Sequence, residues 1–136
     1  AGIQIMIENN VLSKKNQIEF EGNPFLMCDS EECIKIINNT PDNVRLLLDV
    51  AHLKVSTKTL GLNWENEFEN MMSVSSYIHI SDNDGYHDLN NQLTRSSSLL
   101  SMLSNSDTQN KDFTLEIYDG MEAIKKSHDI LSEVVS

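Results

Sequence analysis

The stretch Val44-Arg45-Leu46-Leu47-Leu48-Asp49-Val50-Ala51-His52 decides how the rest of the chain is interpreted. Residues 44–48 form a short apolar run, and its length and composition predict a buried β-strand. The run ends in an acidic residue, Asp49, and a histidine, His52, follows three positions later. The predicted strand is therefore followed directly by a carboxylate and an imidazole, which can bind a metal ion or a substrate.

Three other segments have the character of this strand, at residues 3–7, 77–80 and 113–115. A helix is predicted after each of the four strands, over residues 29–38, 63–72, 94–103 and 120–135. Strands that alternate with helices are typical of a parallel sheet with helices packed on it. The sequence therefore predicts an α/β fold of four βα repeats, with no visible linker or second domain.

Capping signals support two of the predicted helices. Asp29 and Glu32 have the spacing of a capping box, and Asp119 and Glu122 repeat it before the last helix. The last helix is expected to turn one apolar stripe toward the sheet, and its histidine is interpreted as a packing residue. The predicted stripe contains Met121, Ile124, His128, Leu131 and Val135.

Composition narrows the class of protein. The 136 residues include 10 basic and 21 acidic side chains, for a net charge of −11. This charge argues against binding nucleic acid, which requires Lys and Arg to displace counterions from phosphates. No apolar run reaches the length of a membrane span, and no signal peptide is visible, so we expect a cytoplasmic protein without a membrane partner. Cys28 and Cys33 are expected to be free thiols.

Polar residues follow all four predicted strands. Glu8 follows the first, Asp49 and His52 the second, and Glu116 the fourth, while His79 lies in the third. Singly, each has an ordinary explanation as a helix cap, an ion-pair partner or a hydrogen-bonded core histidine. Together they would meet at the carboxyl edge of a parallel sheet, where α/β proteins bind ligands. Imidazole and carboxylate ligands suit a divalent ion such as Mn, Zn, Co or Mg.

These residues resemble a known family. The resemblance rests on Ile7-Glu8-Asn9-Asn10, Leu48-Asp49-Val50-Ala51-His52, Ile78-His79-Ile80-Ser81-Asp82-Asn83-Asp84-Gly85 and Leu115-Glu116-Ile117. They look like the last four strand ends of the xylose isomerase-like TIM barrels. That superfamily includes sugar phosphate isomerases and epimerases, and also nucleases of the endonuclease IV type. The resemblance runs from Ile3 to Val135 and implies one partial domain over residues 1–136, the C-terminal half of a TIM barrel.

The resemblance also implies roles for individual residues. Glu8, Asp49, His79 and Glu116 match the positions that bind one divalent metal ion in the single-metal isomerases and epimerases. The two glutamates there exchange protons with substrate carbon from opposite faces, and the position of His52 contacts a substrate oxygen. His87 is a second candidate for facing the substrate, although a surface position is equally compatible with its sequence context. The substrate is expected to be a sugar or a sugar phosphate.

Two departures from the family pattern leave alternatives open. The nuclease branch requires an Asp-x-His motif for further zinc ions, and Asp88-Leu89-Asn90 has asparagine in place of that histidine. The chain also carries four strands where the barrel has eight. It is therefore expected to be a fragment, or a protein that completes itself with a missing barrel half or by self-association. The remaining alternatives are an abasic-site phosphodiesterase and a non-catalytic barrel half that acts as an assembly module.

The missing strands also lead to a geometric expectation. The first and fourth strands of a flat sheet would lie roughly 14 Å apart, at about 4.8 Å per strand. Glu8 and Glu116 could not share one ion across that distance. We therefore expect their convergence to require the curvature of a closed barrel.

Overall fold

The computed structural model describes residues 2–135, in which strands and helices alternate. The elements are β1 (Ile5–Glu8), α1 (Lys14–Glu19), α2 (Ser30–Ile37), β2 (Val44–Asp49), α3 (Val50–Leu60), α4 (Trp64–Val74), β3 (Tyr77–Ile80), α5 (Ser98–Ser104), β4 (Asp112–Leu115) and α6 (Met121–Ser132). The four strands are parallel and lie side by side in the order β1-β2-β3-β4. The predicted α/β fold of parallel βα repeats is confirmed.

The apolar core lies between the central strands and the helices. Leu46 and Leu48 of β2 and Ile78 and Ile80 of β3 are buried in one cluster. Helix and loop residues complete the cluster, among them Leu53, Phe68, Met71, Leu93, Leu99, Leu103 and Leu131. Because side chains alternate along a strand, Asp49 and His79 point to the opposite face of the sheet. The packing of the core therefore fixes which strand residues are presented on that other face.

Two helices were absent from the sequence-based prediction. Helix α1 begins after Ser13, whose side chain accepts a hydrogen bond from the Asn16 backbone N–H. Helix α3 follows β2 without a loop and ends at Gly61, which has φ of 71°. Residues spread around much of α3 are buried, so it lacks the single apolar stripe that marks a surface helix. Two helices thus separate β2 from β3 where one was predicted.

The two proposed capping boxes differ in outcome. Asp29 caps α2 as predicted, because its carboxylate accepts a hydrogen bond from the Glu32 backbone N–H at 2.8 Å. The Glu32 carboxylate accepts from Met27 N instead of from the cap, so the box is not reciprocal. At α6 the prediction is wrong. Gly120 occupies the cap position, and the Asp119 carboxylate accepts from Gln92 N in the preceding loop.

The apolar stripe predicted for α6 is correct only toward its end, where Leu131 is buried and Val135 packs against the core. Met121 and His128 are exposed, so the interpretation of His128 as a packing residue is wrong. The residues that are buried in this helix are Ala123, Ser127 and Leu131. The Ser127 hydroxyl accepts a hydrogen bond from Leu93 N, which explains how a small polar residue occupies the buried face. The Ser127 hydroxyl thus joins the buried face of α6 to the loop before α5.

Cys28 and Cys33 are buried free thiols, as expected. Burial raises the pKa of Cys28 to about 11 and that of Cys33 to about 12. Both side chains are therefore neutral at physiological pH and act as small apolar residues. No helix within residues 2–135 has the length and apolar character needed to cross a lipid bilayer.

Candidate metal centre

Four side chains from four strand ends converge on one point. Glu8, Asp49, His79 and Glu116 each offer a ligand atom, and these four atoms all lie within 4.8 Å of one another. The Nδ1 atom of His79 is central, at 3.1 Å from Glu116 Oε2, 3.5 Å from Glu8 Oε1 and 4.0 Å from Asp49 Oδ2. We call these four residues the carboxylate–histidine cluster. Four parallel strands are sufficient to bring them together, so the expectation that convergence requires a closed barrel is wrong.

The secondary structure explains why these four positions meet. Glu8 is the last residue of β1 and Asp49 the last of β2, while Glu116 follows β4 directly. Asp49 and His79 are register partners across β2 and β3, and Glu116 N donates to Ile80 O to continue the β3–β4 ladder. Parallel strands present their carboxyl ends at the same edge of the sheet, so all four side chains lie at that edge.

The hydrogen bonding of His79 tests whether the cluster fits a metal ion. Its Nδ1 atom is buried and forms no hydrogen bond within the described residues, although three carboxylate oxygens lie within 4.0 Å. Buried polar atoms nearly always have a partner, and a cation bound among the carboxylates would give this imidazole nitrogen one. One imidazole and three carboxylates form a donor set that suits Mn, Zn or Co and, with its oxygens, Mg. The cluster therefore has the chemistry to hold one divalent ion.

The surroundings of Asp49 show the electrostatic cost of this arrangement. Its side chain is buried, and its Oδ1 accepts a hydrogen bond from His52 N at the start of α3. Burial raises the pKa of Asp49 to about 6, and repulsion from Glu8 and Glu116 adds to the effect against the opposing influence of His52. A cation bound among these carboxylates would relieve the penalty for ionising Asp49.

His52 lies beside the cluster with both ring nitrogens occupied. Nδ1 lies 2.9 Å from Asn9 O and 3.8 Å from Glu8 Oε1, while Nε2 lies 3.3 Å from Asp88 Oδ2. Burial alone would lower the pKa of His52, but Asp49, the Asn9 carbonyl, Asp88 and Glu8 outweigh it and raise that pKa. His52 is thus held at the edge of the cluster, and its contact with a substrate oxygen stays a prediction.

Two residues next to the cluster were missed as functional candidates. In the sequence, Asn9 is distinguished only by following Glu8, and Asp88 only by belonging to the incomplete Asp-x-His motif. Both contact His52, and Asn9 also bonds to the main chain of Asp49. Asp88 is far from His52 in sequence, so no local pattern could have paired them.

The loop that carries Asp88 is anchored to α3. Lys54 Nζ donates to Asp82 Oδ1 and to Asn83 O, both at 2.6 Å, and Asn83 Nδ2 donates to Ala51 O. Lys58 Nζ lies 3.7 Å from the centre of the Tyr86 ring. Helix α3 therefore carries His52 and also holds the loop that carries Asp88, through Ala51, Lys54 and Lys58.

The structure places His87 away from the carboxylate–histidine cluster. Its side chain is 70% exposed, and its Nδ1 atom lies 2.9 Å from Asp84 Oδ2. Hydrogen bonds from His87 and from neighbouring backbone N–H groups lower the pKa of Asp84 to about 2. Contact between His87 and a substrate stays a prediction.

Comparison with known proteins agrees with this fold. A crystal structure described as a D-tagatose 3-epimerase-like protein matches 98% of this chain with a TM-score of 0.69 and 20% sequence identity. The match covers 47% of that protein, so the present chain spans about half its length. No protein-family model and no curated protein matches the sequence. The likeness establishes the fold, an α/β chain that corresponds to half of a TIM barrel.

Proposed function

We propose that the carboxylate–histidine cluster holds one divalent ion and that the chain contributes this site to an isomerase or epimerase. The substrate would be a sugar or a sugar phosphate. The convergence of four ligand atoms within 4.8 Å is the observation that carries the proposal. The half-barrel fold shared with an epimerase-like protein supports the reaction class.

The two glutamates are suited to moving a proton. Glu8 ends β1 and Glu116 follows β4, so their carboxylates reach the cluster from opposite edges of the sheet. One can accept a proton from the carbon next to a carbonyl while the other returns a proton to the opposite face. A bound divalent ion would supply Lewis-acid polarisation of the neighbouring substrate oxygens. This division of labour requires one glutamate to be ionised as the base while the other carries the proton that it returns. Both side chains are only partly buried and therefore accessible.

The other cluster residues have supporting roles. Asp49 is fixed by its hydrogen bond to His52 N and serves to hold the ion. His79 presents Nδ1 to all three carboxylates and so sets the centre of the site. His52 places a polar ring beside Glu8, where it can orient a substrate oxygen.

The partner that completes the site is a second barrel half. Strands β1 and β4 are the two ends of the sheet, so each has an edge with no neighbouring strand in the described residues. Exposed apolar side chains in or shortly after these strands are Ile5 in β1 and Tyr118 after β4. Open parallel edges with apolar flanks favour pairing with further β-strands. We propose that four more strands, from a longer polypeptide or another chain, cover these edges.

The other two functions have less support. The net charge of −11 disfavours the phosphate contacts that an abasic-site nuclease needs, and Asn90 stands where a further zinc-binding histidine would be required. A non-catalytic assembly module would explain the open edges, but it offers no reason for a buried His79 nitrogen among three carboxylates.

The test combines metal content with isotope exchange. Chelator-treated protein is reloaded with Mn²⁺, Co²⁺ or Zn²⁺, and a stoichiometry near one ion per chain is expected. The loaded protein, alone and as a longer form, is then incubated in D₂O with ketoses and aldoses, with and without phosphate. We expect deuterium next to the carbonyl, lost in Glu8→Gln and Glu116→Gln and retained in the exposed control Glu122→Gln. Three zinc ions per chain would favour the nuclease, and exchange at full rate in both variants would exclude the two-glutamate mechanism.

A further inference from the structure

Asn9 is a buried polar residue that contacts two residues of the site, Asp49 and His52. It follows Glu8 directly, after the last register pair of β1 with β2, and only 1% of its surface is exposed. A polar side chain with this burial must form hydrogen bonds to avoid a large desolvation penalty. The partners of Asn9 are therefore informative about its role.

The side chain of Asn9 bonds to the main chain of Asp49 in two directions. Asn9 Oδ1 accepts from Asp49 N at 2.7 Å, and Asn9 Nδ2 donates to Asp49 O at 3.1 Å. A carboxamide carries a donor and an acceptor side by side, as a peptide group does. The amide thus continues the β1–β2 ladder beyond the point where the two backbones pair.

The main chain of Asn9 holds a second site residue. Its carbonyl oxygen lies 2.9 Å from His52 Nδ1. A carbonyl can only accept, so Nδ1 carries the proton in this hydrogen bond and Nε2 is the nitrogen that faces Asp88. The side-chain bridge to Asp49 fixes the peptide that carries this oxygen, and the oxygen in turn orients the ring.

We propose that Asn9 is the positioning residue of the carboxylate–histidine cluster: its side chain fixes the backbone of Asp49, and its carbonyl fixes the ring of His52. The inference rests on the proposed function for its catalytic consequence, but the hydrogen bonds can be tested without metal or substrate. Asn9 acts through these two neighbours and is not itself a catalytic residue.

Two variants and one control separate this role from ordinary packing. Asn9→Ala removes both side-chain hydrogen bonds. Asn9→Asp keeps the shape and the acceptor for Asp49 N, but it places a carboxylate oxygen against Asp49 O. The control is Asn10→Ala, because the neighbouring Asn10 is exposed and its side chain donates to Leu26 O, away from the cluster.

The first readout uses metal-free protein. Hydrogen exchange of the Asp49 amide should accelerate at least about tenfold in Asn9→Ala and less in Asn9→Asp, which retains the acceptor. The ring ¹⁵N spectrum of His52 should show a hydrogen-bonded proton on Nδ1 in the unaltered protein, and that signal should shift or broaden in both variants. Asn10→Ala should match the unaltered protein. A folded Asn9→Asp or Asn9→Ala variant with an unchanged His52 spectrum would overturn the proposal.

The second readout is the affinity for Mn²⁺ alone, measured by calorimetry. Residues that orient metal ligands typically change affinity by about 10–100-fold, and we expect a loss of that size in both variants and none in Asn10→Ala. An affinity within twofold of that of the unaltered protein would mean that Asn9 only joins β1 to β2, and it would overturn the proposal that Asn9 positions the cluster. If the unaltered protein binds no ion, the proposed function fails, and the metal-free spectra still decide the role of Asn9.

Discussion

The two central strands and the two edge strands hold their ligands in different ways. Asp49 and His79, from β2 and β3, have 1% and 20% of their side-chain surface exposed, whereas Glu8 and Glu116, from β1 and β4, have 38% and 30%. A central strand has neighbours on both sides, and an edge strand has one. The centre of the site is therefore built into the sheet, while the two proposed proton-transfer groups lie at the edges that a partner would cover.

The same contrast exists in the hydrogen bonds. Asp49 is bonded through its backbone to Asn9 and through its carboxylate to His52 N. Glu116 Oε1 instead accepts a hydrogen bond from the Tyr118 hydroxyl at 3.0 Å, and Tyr118 is itself exposed. Buried, multiply bonded groups are held more firmly than exposed pairs. Asp49 is therefore held more firmly than Glu116, which has a single hydrogen bond to an exposed residue.

Amide hydrogen exchange is the measurement with the largest expected effect. Ile5 N donates to Asn43 O and Glu116 N to Ile80 O. Successive peptide groups along a strand point to opposite sides, so the N–H groups of Met6 and Leu115 face the open edges. In the chain alone we expect these two amides to exchange about a thousandfold faster than that of Leu48 in β2. Equal protection would show that another strand covers the edges, and light scattering would then identify self-association.

The pH dependence of the free energy of unfolding tests the energetic cost of burying the Asp49 carboxylate. The pKa of Asp49 is raised to about 6 in the folded protein from 3.8, so between these values the folded state binds more protons than the unfolded state. Stability from this group is complete below pH 3.8 and is lost as pH rises through 6, by about 3 kcal/mol in total. Asp49→Asn should lack this loss.

Urea unfolding of chelator-treated protein between pH 4 and pH 8 measures the effect. The stability difference between Asp49→Asn and the unaltered protein should grow in favour of the variant as pH rises. His52, whose pKa is also raised, loses its own contribution in the same direction. Asp49 is one cause of that raised pKa, so the difference between the two proteins measures Asp49 together with its interaction with His52. Parallel pH profiles for both proteins would contradict the assigned pKa.

The edge glutamates should give the smallest effect. In the chain alone, Glu8→Gln and Glu116→Gln are each expected to weaken Mn²⁺ binding about tenfold, or about 1.4 kcal/mol. Both side chains are partly solvated, so each contributes less than a buried charge would. Calorimetric titration with Mn²⁺ compares these two variants with Asp49→Asn and with the matched exposed control Glu122→Gln. We expect a larger loss of affinity in Asp49→Asn and none in Glu122→Gln. A loss at Glu8 as large as that at Asp49 would remove the distinction between centre and edge.

Local patterns were sufficient for part of the fold. The apolar runs at β2 and β3 and the Asp29 cap identified elements correctly, because strand burial and helix capping depend on adjacent residues. Helix α3 was missed because it is buried on several sides by α4 and the sheet, which removes the amphipathic pattern. The buried face of α6 includes Ser127, which accepts a hydrogen bond from Leu93 N. Leu93 lies 34 residues before Ser127, so no local pattern indicates this contact.

The sequence by itself determined the identity and order of the four cluster residues, because each is tied to the end of a strand and parallel strands share one carboxyl edge. Only the tertiary structure decided that four strands suffice to bring these groups within 4.8 Å of one another. It also decided the contacts of His52 with Asn9 and Asp88, since those depend on how a loop and a helix far apart in sequence pack together. Chemistry at strand ends can be read locally, whereas curvature and loop placement result from long-range packing.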